Sequence, residues 1–276
     1  MNILINNSLN MGRGTVYHLR KPLSGLEKAP IRTSGDEYAG RSGGFVSGQF
    51  YSRRPVTLLG DILSTTVAQH QIDRKALSAA FEIGIDLDVL ITMPDNSQYY
   101  AKARTVKFDM DITHSAASSY KIELLCESHL LYGGGVAPNY GLKTVTVDKL
   151  DTSGFVLPII LPGVLTAESF TVAANSGDED ALPIITGTGQ YTSPRIYNAT
   201  TGKMIAIDVA TIAGDVFVVD MENHAITVNG ISMLQLLSSG DFWALAPGNN
   251  NLYFDSLSGS DNATIDFKYR DSYSGV

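Results

Sequence analysis

Phe242-Trp-Ala-Leu-Ala-Pro-Gly-Asn249, followed a little later by Asn262-Ala-Thr-Ile-Asp-Phe-Lys-Tyr-Arg-Asp-Ser-Tyr-Ser-Gly-Val276, decides the fold class. Ala263, Ile265, Phe267 and Tyr269 alternate with Asn262, Thr264, Asp266, Lys268 and Arg270. That period of two belongs to a strand with one packed face and one wet face. A Pro247-Gly-Asn-Asn250 turn stands just before Leu252-Tyr253-Phe254. Together the segments predict the terminal hairpin of an antiparallel β-domain.

Upstream, the second half repeats this pattern at short intervals. Strands are predicted at 154–160, 168–173, 182–187, 194–198, 203–209, 215–220, 224–228, 250–255 and 262–269. Asn229-Gly230 is a hairpin signal between Ile226-Thr-Val228 and Ile231. A helical turn is predicted only at Ser232–Leu237. Short strands separated by turn residues fit a β-sandwich.

The first half reads differently. Residues 32–48 are rich in glycine and polar groups, which predicts a long loop or arm. Gln49 to Ile62 is predicted extended, with Pro55 at an edge or bend. Ile72 to Phe81 reads as a helix packed through Ile72, Ala76, Leu77, Ala80 and Phe81, and ended by Gly84. Strands follow at Ile85–Met93 and Tyr99–Ile112, around the turn Pro94-Asp-Asn-Ser97. In the second of these, Val106, Phe108, Met110 and Ile112 are expected on one face. Tyr120, Ile122, Leu124 and Cys126 share a face of the next strand. Gly133-Gly-Gly-Val-Ala-Pro-Asn-Tyr-Gly141 predicts a boundary.

Length allows two ordinary domains or one large one. Charge favours two: residues 1–141 carry 14 Lys and Arg against 13 Asp and Glu, while residues 142–276 carry 6 against 15. A second half at −9 lacks the cations that sequence-independent DNA binding needs. One cysteine, Cys126, permits no disulfide within the chain and suits assembly in a reducing cytoplasm. The apolar run from Phe155 to Leu165 is interrupted by Pro158, Pro162 and Gly163, so no membrane span is expected. The first residues carry no basic segment leading an apolar one, so no secretory signal is expected.

Candidate chemistry is sparse. His18, His70, His114, His129 and His224 are scattered without metal-ligand spacing, so no metal and no cofactor are expected. Gly12-Arg-Gly14 and Gly187-Thr-Gly189 read as turns, since neither continues into a phosphate-binding fingerprint. Asp86, Asp88, Asp109 and Asp111 are expected on solvated strand faces, and Gly177-Asp-Glu-Asp180 as a solvated loop. No nucleophile motif appears, so no enzyme is expected. Asn198-Ala-Thr200 and Asn262-Ala-Thr264 match glycosylation triplets but carry no meaning without a secretory signal. Trp243 is expected in the core; the alternative is a sugar-stacking platform of a carbohydrate-binding, lectin-like module for host attachment. Arg53 and Arg54, with Arg41 in the arm, are candidate subunit contacts.

Phe242-x-x-Leu-x-Pro-Gly-x-Asn250, a strand, and then Tyr269-Arg-Asp271 resembles the end of the siphophage distal tail protein family. Asn175-Ser-Gly-Asp178, Pro183, Gly187, Asn198, Gly202 and Asn229-Gly230 also look like that family's C-terminal domain. Leu26, Pro30-Ile-Arg-Thr33, the glycine-rich stretch, Tyr51-Ser-Arg-Arg-Pro-Val-Thr-Leu-Leu-Gly60 and Asp73-Arg-Lys-Ala-Leu77 are similar to its N-terminal domain.

The resemblance implies a mainly β chain: an N-terminal barrel like a tail-tube subunit with one packed helix, and a C-terminal galectin-like sandwich. The expected divisions are 1–135 with the arm at 32–48, a linker at 136–150, and 151–276. It also implies a hexameric ring at the tip of a long phage tail, assembled in the host cytoplasm. Implied partners are the tail tube protein, the hub or tail-associated protein, the tape measure protein and a receptor-binding protein. Genome DNA would cross the lumen without specific binding, and no membrane insertion is implied. Some members carry inserted carbohydrate-binding modules; this chain has no insertion of that size.

Overall fold

The computed structural model describes residues 1–20, 24–111, 116–149, 170–259 and 263–276. The strand expected at 154–160, the start of the one at 168–173, and Ile112, His114 and Asn262 lie outside the described residues. The described chain is mainly β and divides into two units, Met1–Gly141 with Tyr273–Val276, and Leu142–Ser272. The returning C-terminal residues correct the expectation that the second domain runs to Val276.

In the first unit the strands are β1 (Asn2–Ile5), β2 (Leu9–Gly12), β3 (Tyr17–Leu19), β4 (Ile31–Glu37), β5 (Gly44–Tyr51) and β6 (Pro55–Leu63). Helix α1 (Val67–Ala80) follows, then β7 (Leu87–Thr92), β8 (Gln98–Met110), β9 (Ala117–Cys126) and β10 (Leu131–Gly133). The order β8-β7-β1-β2-β3-β6-β9, with β9 pairing back to β8, closes a seven-stranded barrel. Closure leaves no unpaired edge in that ring. Alternation fills it: Ile3, Ile5, Leu58, Ile62, Leu87, Ile122 and Leu124 point inward with Leu77 and Phe81 from the helix region.

Three expectations fail here for identifiable reasons. The helix begins at Val67, because Thr66 caps it by accepting from the Gln69 backbone N–H at 3.1 Å. It packs through His70, Asp73 and Leu77, leaving Ile72 exposed. In β8 the register shifts between Thr105 and Lys107, so Val106 is the extra residue of a bulge and is 63% exposed. Phe108 and Met110 remain packed against the core. The glycine-rich stretch is no structureless loop: β4 and β5 pair as a hairpin.

The second unit holds β11 (Lys143–Asp148), β12 (Thr171–Asn175), β13 (Ile184–Thr188), β14 (Tyr191–Thr192), β15 (Arg195–Asn198) and β16 (Lys203–Ile207). It continues with β17 (Val216–Asp220), β18 (Ala225–Val228), β19 (Ile231–Ser232), β20 (Leu237–Gly240), β21 (Gly248–Asp255), β22 (Ser258–Gly259) and β23 (Thr264–Tyr269). A six-stranded sheet, β11-β23-β13-β17-β18-β19, faces a five-stranded one, β12-β21-β15-β16-β20. Ile185, Phe217, Val219 and Phe267 from the first meet Ile196, Ile205, Leu252 and Phe254 from the second in one core, which makes a sandwich.

Residues 143–148, expected in a linker, are thus a strand. Val145 and Val147 pack toward that core, and β11 pairs along the whole of β23. Strands β21 and β23 fall in different sheets, so the expected terminal hairpin between them does not form. Gly187 lies within β13 rather than in a turn. A Cβ there would stand 2.2 Å from the Phe217 ring, so its bare backbone makes room for that ring. Asn229-Gly230 does close a two-residue hairpin, with Val228 opposite Ile231. The last strand, β24 (Ser272–Tyr273), leads the chain end back to the first unit, where Tyr273 packs edge-on against Tyr99.

Candidate interaction surface

The β4–β5 arm leaves the first unit between Pro30 and Ser52, where the Ser52 N–H donates to the Pro30 carbonyl at 2.7 Å. Among the described residues its strands pair only with each other. Opposite residues of an antiparallel pair share a face. One face therefore carries Ile31 with Tyr51, Thr33 with Gln49, and Gly35 with Val46; the other carries Arg32 with Phe50, Ser34 with Gly48, and Asp36 with Phe45. A register shift leaves Ser47 unpaired, and its hydroxyl donates to the Ser34 carbonyl at 3.0 Å. Val46 is 65% exposed and Phe50 60%, with Ile31 and Phe45 also exposed. An isolated two-stranded ribbon is marginal in water, and this one leaves large apolar groups uncovered.

Charge on the arm is balanced and locally used. The Arg32 guanidinium lies over the Phe50 ring at 5.6 Å, and that of Arg41 over Tyr38 at 3.9 Å. Tyr38 in turn meets Phe45 at 6.1 Å. Arg41 and Arg53 are exposed.

Arg54 is different and corrects the expectation of a subunit contact. It is fully buried. Its Nη1 donates to the Gly25 carbonyl at 2.8 Å and to that of Glu27; Nε and Nη2 reach the His129 carbonyl at 3.0 and 2.6 Å; Nη2 also reaches the Ser274 carbonyl at 2.6 Å. A guanidinium has donors enough for all of these. Burial lowers its pKa, with nearby Cys126 and Glu27 opposing that effect. The group gathers the chain before the arm, the loop after β9 and the chain end into one root. Tyr51 at the base of β5 stacks on His129 at 5.1 Å.

Trp243 is 4% exposed and packs at 6.2 Å from Phe267, so it offers no ring face to a sugar. The acidic residues have local partners: Asp86 pairs with Arg104 at 2.5 Å, Asp109 with Lys107 at 2.8 Å, and Asp88 accepts from the Tyr100 hydroxyl at 2.7 Å. Asp111 accepts from Ser119. Among the described residues no three His, Cys, Asp or Glu side chains form a group that could hold a metal ion.

One cluster escaped the sequence reading because its members are joined only by the fold. Ser64 Oγ donates to Asp73 Oδ2 at 2.6 Å and lies 3.3 Å from His70 Nδ1. Gln69 Nε2 donates to Asp73 Oδ1 at 2.9 Å, and the Tyr17 hydroxyl to the Asp73 carbonyl at 3.0 Å. The hydroxyl serves the carboxylate and the imidazole is fully buried, so this is a clamp holding α1 on β3 rather than an activated nucleophile.

Residues 176–273 match the family model described as siphovirus-type tail component, C-terminal domain. The matched stretch lies almost wholly within the second unit. Beyond that stretch the likeness is one of fold. The chain is similar to the crystal structure of SPP1 Dit, described as a paradigm of the hub adsorption apparatus in Gram-positive infecting phages. The TM-score is 0.62 at 15% identity, covering 96% of this chain and 98% of that one. It is also similar to a chain of the phage P2 baseplate in its activated conformation with Ca. There the TM-score is 0.50 at 9% identity, over 100% and 99% of the two chains. The corresponding baseplate structure with Sr gives 0.50 at 10% identity, over 98% and 97%. No curated protein sequence matches the chain.

Proposed function

We propose that this chain is a non-enzymatic connector at the distal end of a siphophage tail. Six copies form a ring that joins the tail tube to the tip apparatus. The observation that carries this reading is the mutual coverage with SPP1 Dit, whose fold likeness takes in 96% of this chain and 98% of that one. A member of a hub needs surfaces rather than a reaction centre, and the uncovered apolar arm is such a surface.

In this reading each unit is a separate domain. The near-neutral first unit carries the ring contacts, because copies of it do not repel. The second carries most of the negative charge outside those contacts. The tail tube protein would sit on one side of the ring and the hub, tape measure and receptor-binding proteins on the other. DNA would pass without specific binding, and the protein would reside in the virion after assembly in the host cytoplasm. The lectin reading loses its carrier with Trp243 buried.

The test is particle mass by light scattering for the full chain, alone and mixed with tube protein. A six-copy species in either sample supports the reading. A monomer in both, with no tube binding, contradicts it.

A further inference from the structure

At one end of the barrel, where β1 begins, β2 ends and the chain turns after β7, the first unit has a cleft of about 490 Å³. That size falls within the ~300–1,000 Å³ of ligand-binding clefts. Its cations are Arg13, His18 and Arg20, and its apolar lining is Met1, Leu19, Met93 and Pro94. Among the described residues no carboxylate lines it. Arg20 is already held by Asp61 in a two-point ion pair. The exposed Arg13 guanidinium has no ion-pair partner among the described residues.

Backbone hydrogen bonds fix the walls. The Arg13 N–H donates to Asn2 Oδ1 at 3.1 Å. The Arg20 N–H donates to the Leu59 carbonyl at 3.0 Å, and that of Met93 to the Ser97 carbonyl at 2.9 Å. Gly12, at φ 132°, lies so near β1 that a Cβ there would stand 2.5 Å from Asn2 Oδ1. A receptor held this way loses little freedom on binding.

We propose that the cleft receives an extended acidic peptide segment of another protein, with a carboxylate on Arg13 and an aliphatic side chain against Met1 and Met93. This does not depend on the ring reading, which particle mass tests separately. Charge names the carboxylate: a guanidinium takes one through two parallel hydrogen bonds. The apolar lining names the peptide, because thioethers adapt to an aliphatic side chain and a sugar-phosphate backbone offers none. The second unit of another copy is the poorer source despite its charge, because its carboxylates are engaged locally. Asp215 accepts from the Ile212 N–H and from Asn229, Asp220 from the N–H groups of Glu222 and Asn223, and Asp271 pairs with Lys143.

The test is fluorescence polarisation of the full-length chain with a labelled hexapeptide of alternating glutamate and leucine. Saturable binding is expected, weaker as salt rises and about tenfold weaker for a twin peptide with glutamine in place of glutamate. Arg13→Glu should weaken binding about tenfold or more at an unchanged melting temperature. Arg53→Glu, at an exposed arginine outside the cleft, should leave binding unchanged. Equal binding of the glutamine twin, an unaffected Arg13→Glu, or no binding overturns the proposal. Tighter binding of a labelled thymidine oligonucleotide also overturns it, by making the cleft a phosphate site. So does self-association that Arg13→Glu abolishes, by making a second copy the occupant.

Discussion

Arg54 Nη2 donates to the Ser274 carbonyl at 2.6 Å, joining the start of β6 to a residue 220 positions later. Through the same guanidinium, Gly25, Glu27 and His129 are held at the root of the arm. The chain end is therefore part of the first unit, and the second unit is carried as an insertion between β10 and Tyr273. Replacing Arg54 with Met removes the donor from several buried carbonyls. An unmet buried acceptor costs about 1–3 kcal/mol. Chemical denaturation should show a loss of about 3 kcal/mol confined to the first unit. Deleting Tyr273–Val276 should affect the same unit. An unchanged first transition would refute the clasp.

Gly60 lies in β6 where a Cβ would stand 2.0 Å from the His18 carbonyl oxygen and 2.3 Å from the Tyr120 hydroxyl. That hydroxyl donates to the same carbonyl at 3.1 Å. Gly60→Ala must push β3 away from β6. The expected cost is about 1–3 kcal/mol, read as a lowered melting temperature. Wild-type stability would mean the strands are not in close register there.

Cys126 shares its buried face with Tyr120, Ile122 and Leu124. Burial pushes its thiol from an ordinary value near 9.0 up to about 11, against the opposing charge of Arg54. Between those values the unfolded chain has released a proton that the folded chain keeps. Stability is thus intact below about pH 9 and is lost as pH rises through about 11. The buried Tyr17, Tyr120 and Tyr191 hydroxyls, raised by desolvation, act in the same direction at higher pH. Urea midpoints at pH 8 and pH 10.5 should differ, and Cys126→Ala should narrow the difference. A thiol reagent that labels the native protein rapidly at pH 8 would place Cys126 at the surface instead.

Trp243→Ala should cost roughly 3–5 kcal/mol, because it empties a ring-sized site in the sandwich core. Glycan-array binding should be negligible before and after the change. Unaltered stability with loss of glycan binding would restore the lectin reading.

Removing Ser34–Gly44 should leave the melting temperature nearly unchanged, since those residues are exposed and β4 is paired with β5. Assembly should fail. Normal ring or tail formation by the deleted chain would show that the arm is dispensable.

Much of this architecture was legible in the sequence. Alternation placed Ala263, Ile265, Phe267 and Tyr269 on the buried face of β23, and Tyr120 to Cys126 on that of β9. What alternation cannot show is partner choice. Leu252-Tyr253-Phe254 and Ile265-Asp-Phe267 both read as strands, yet only long-range packing sends them to different sheets. The bulge at Val106 is invisible because one extra residue preserves composition while shifting every later side chain. Glycine content hid the arm's pairing, since such strands are weak alone. The Thr66 cap was present as a signal for the helix start, three residues ahead of the Gln69 N–H it accepts. Arg54 read as a surface cation because its carbonyl partners lie far apart in sequence.

The most direct test of the connector role is cryo-electron microscopy of tails from a phage encoding this chain, compared with tails made without it. The account predicts six-fold density at the distal end into which the barrel and sandwich fit, and loss of the tip when the chain is missing. Intact, tipped and infectious tails without the chain would contradict it.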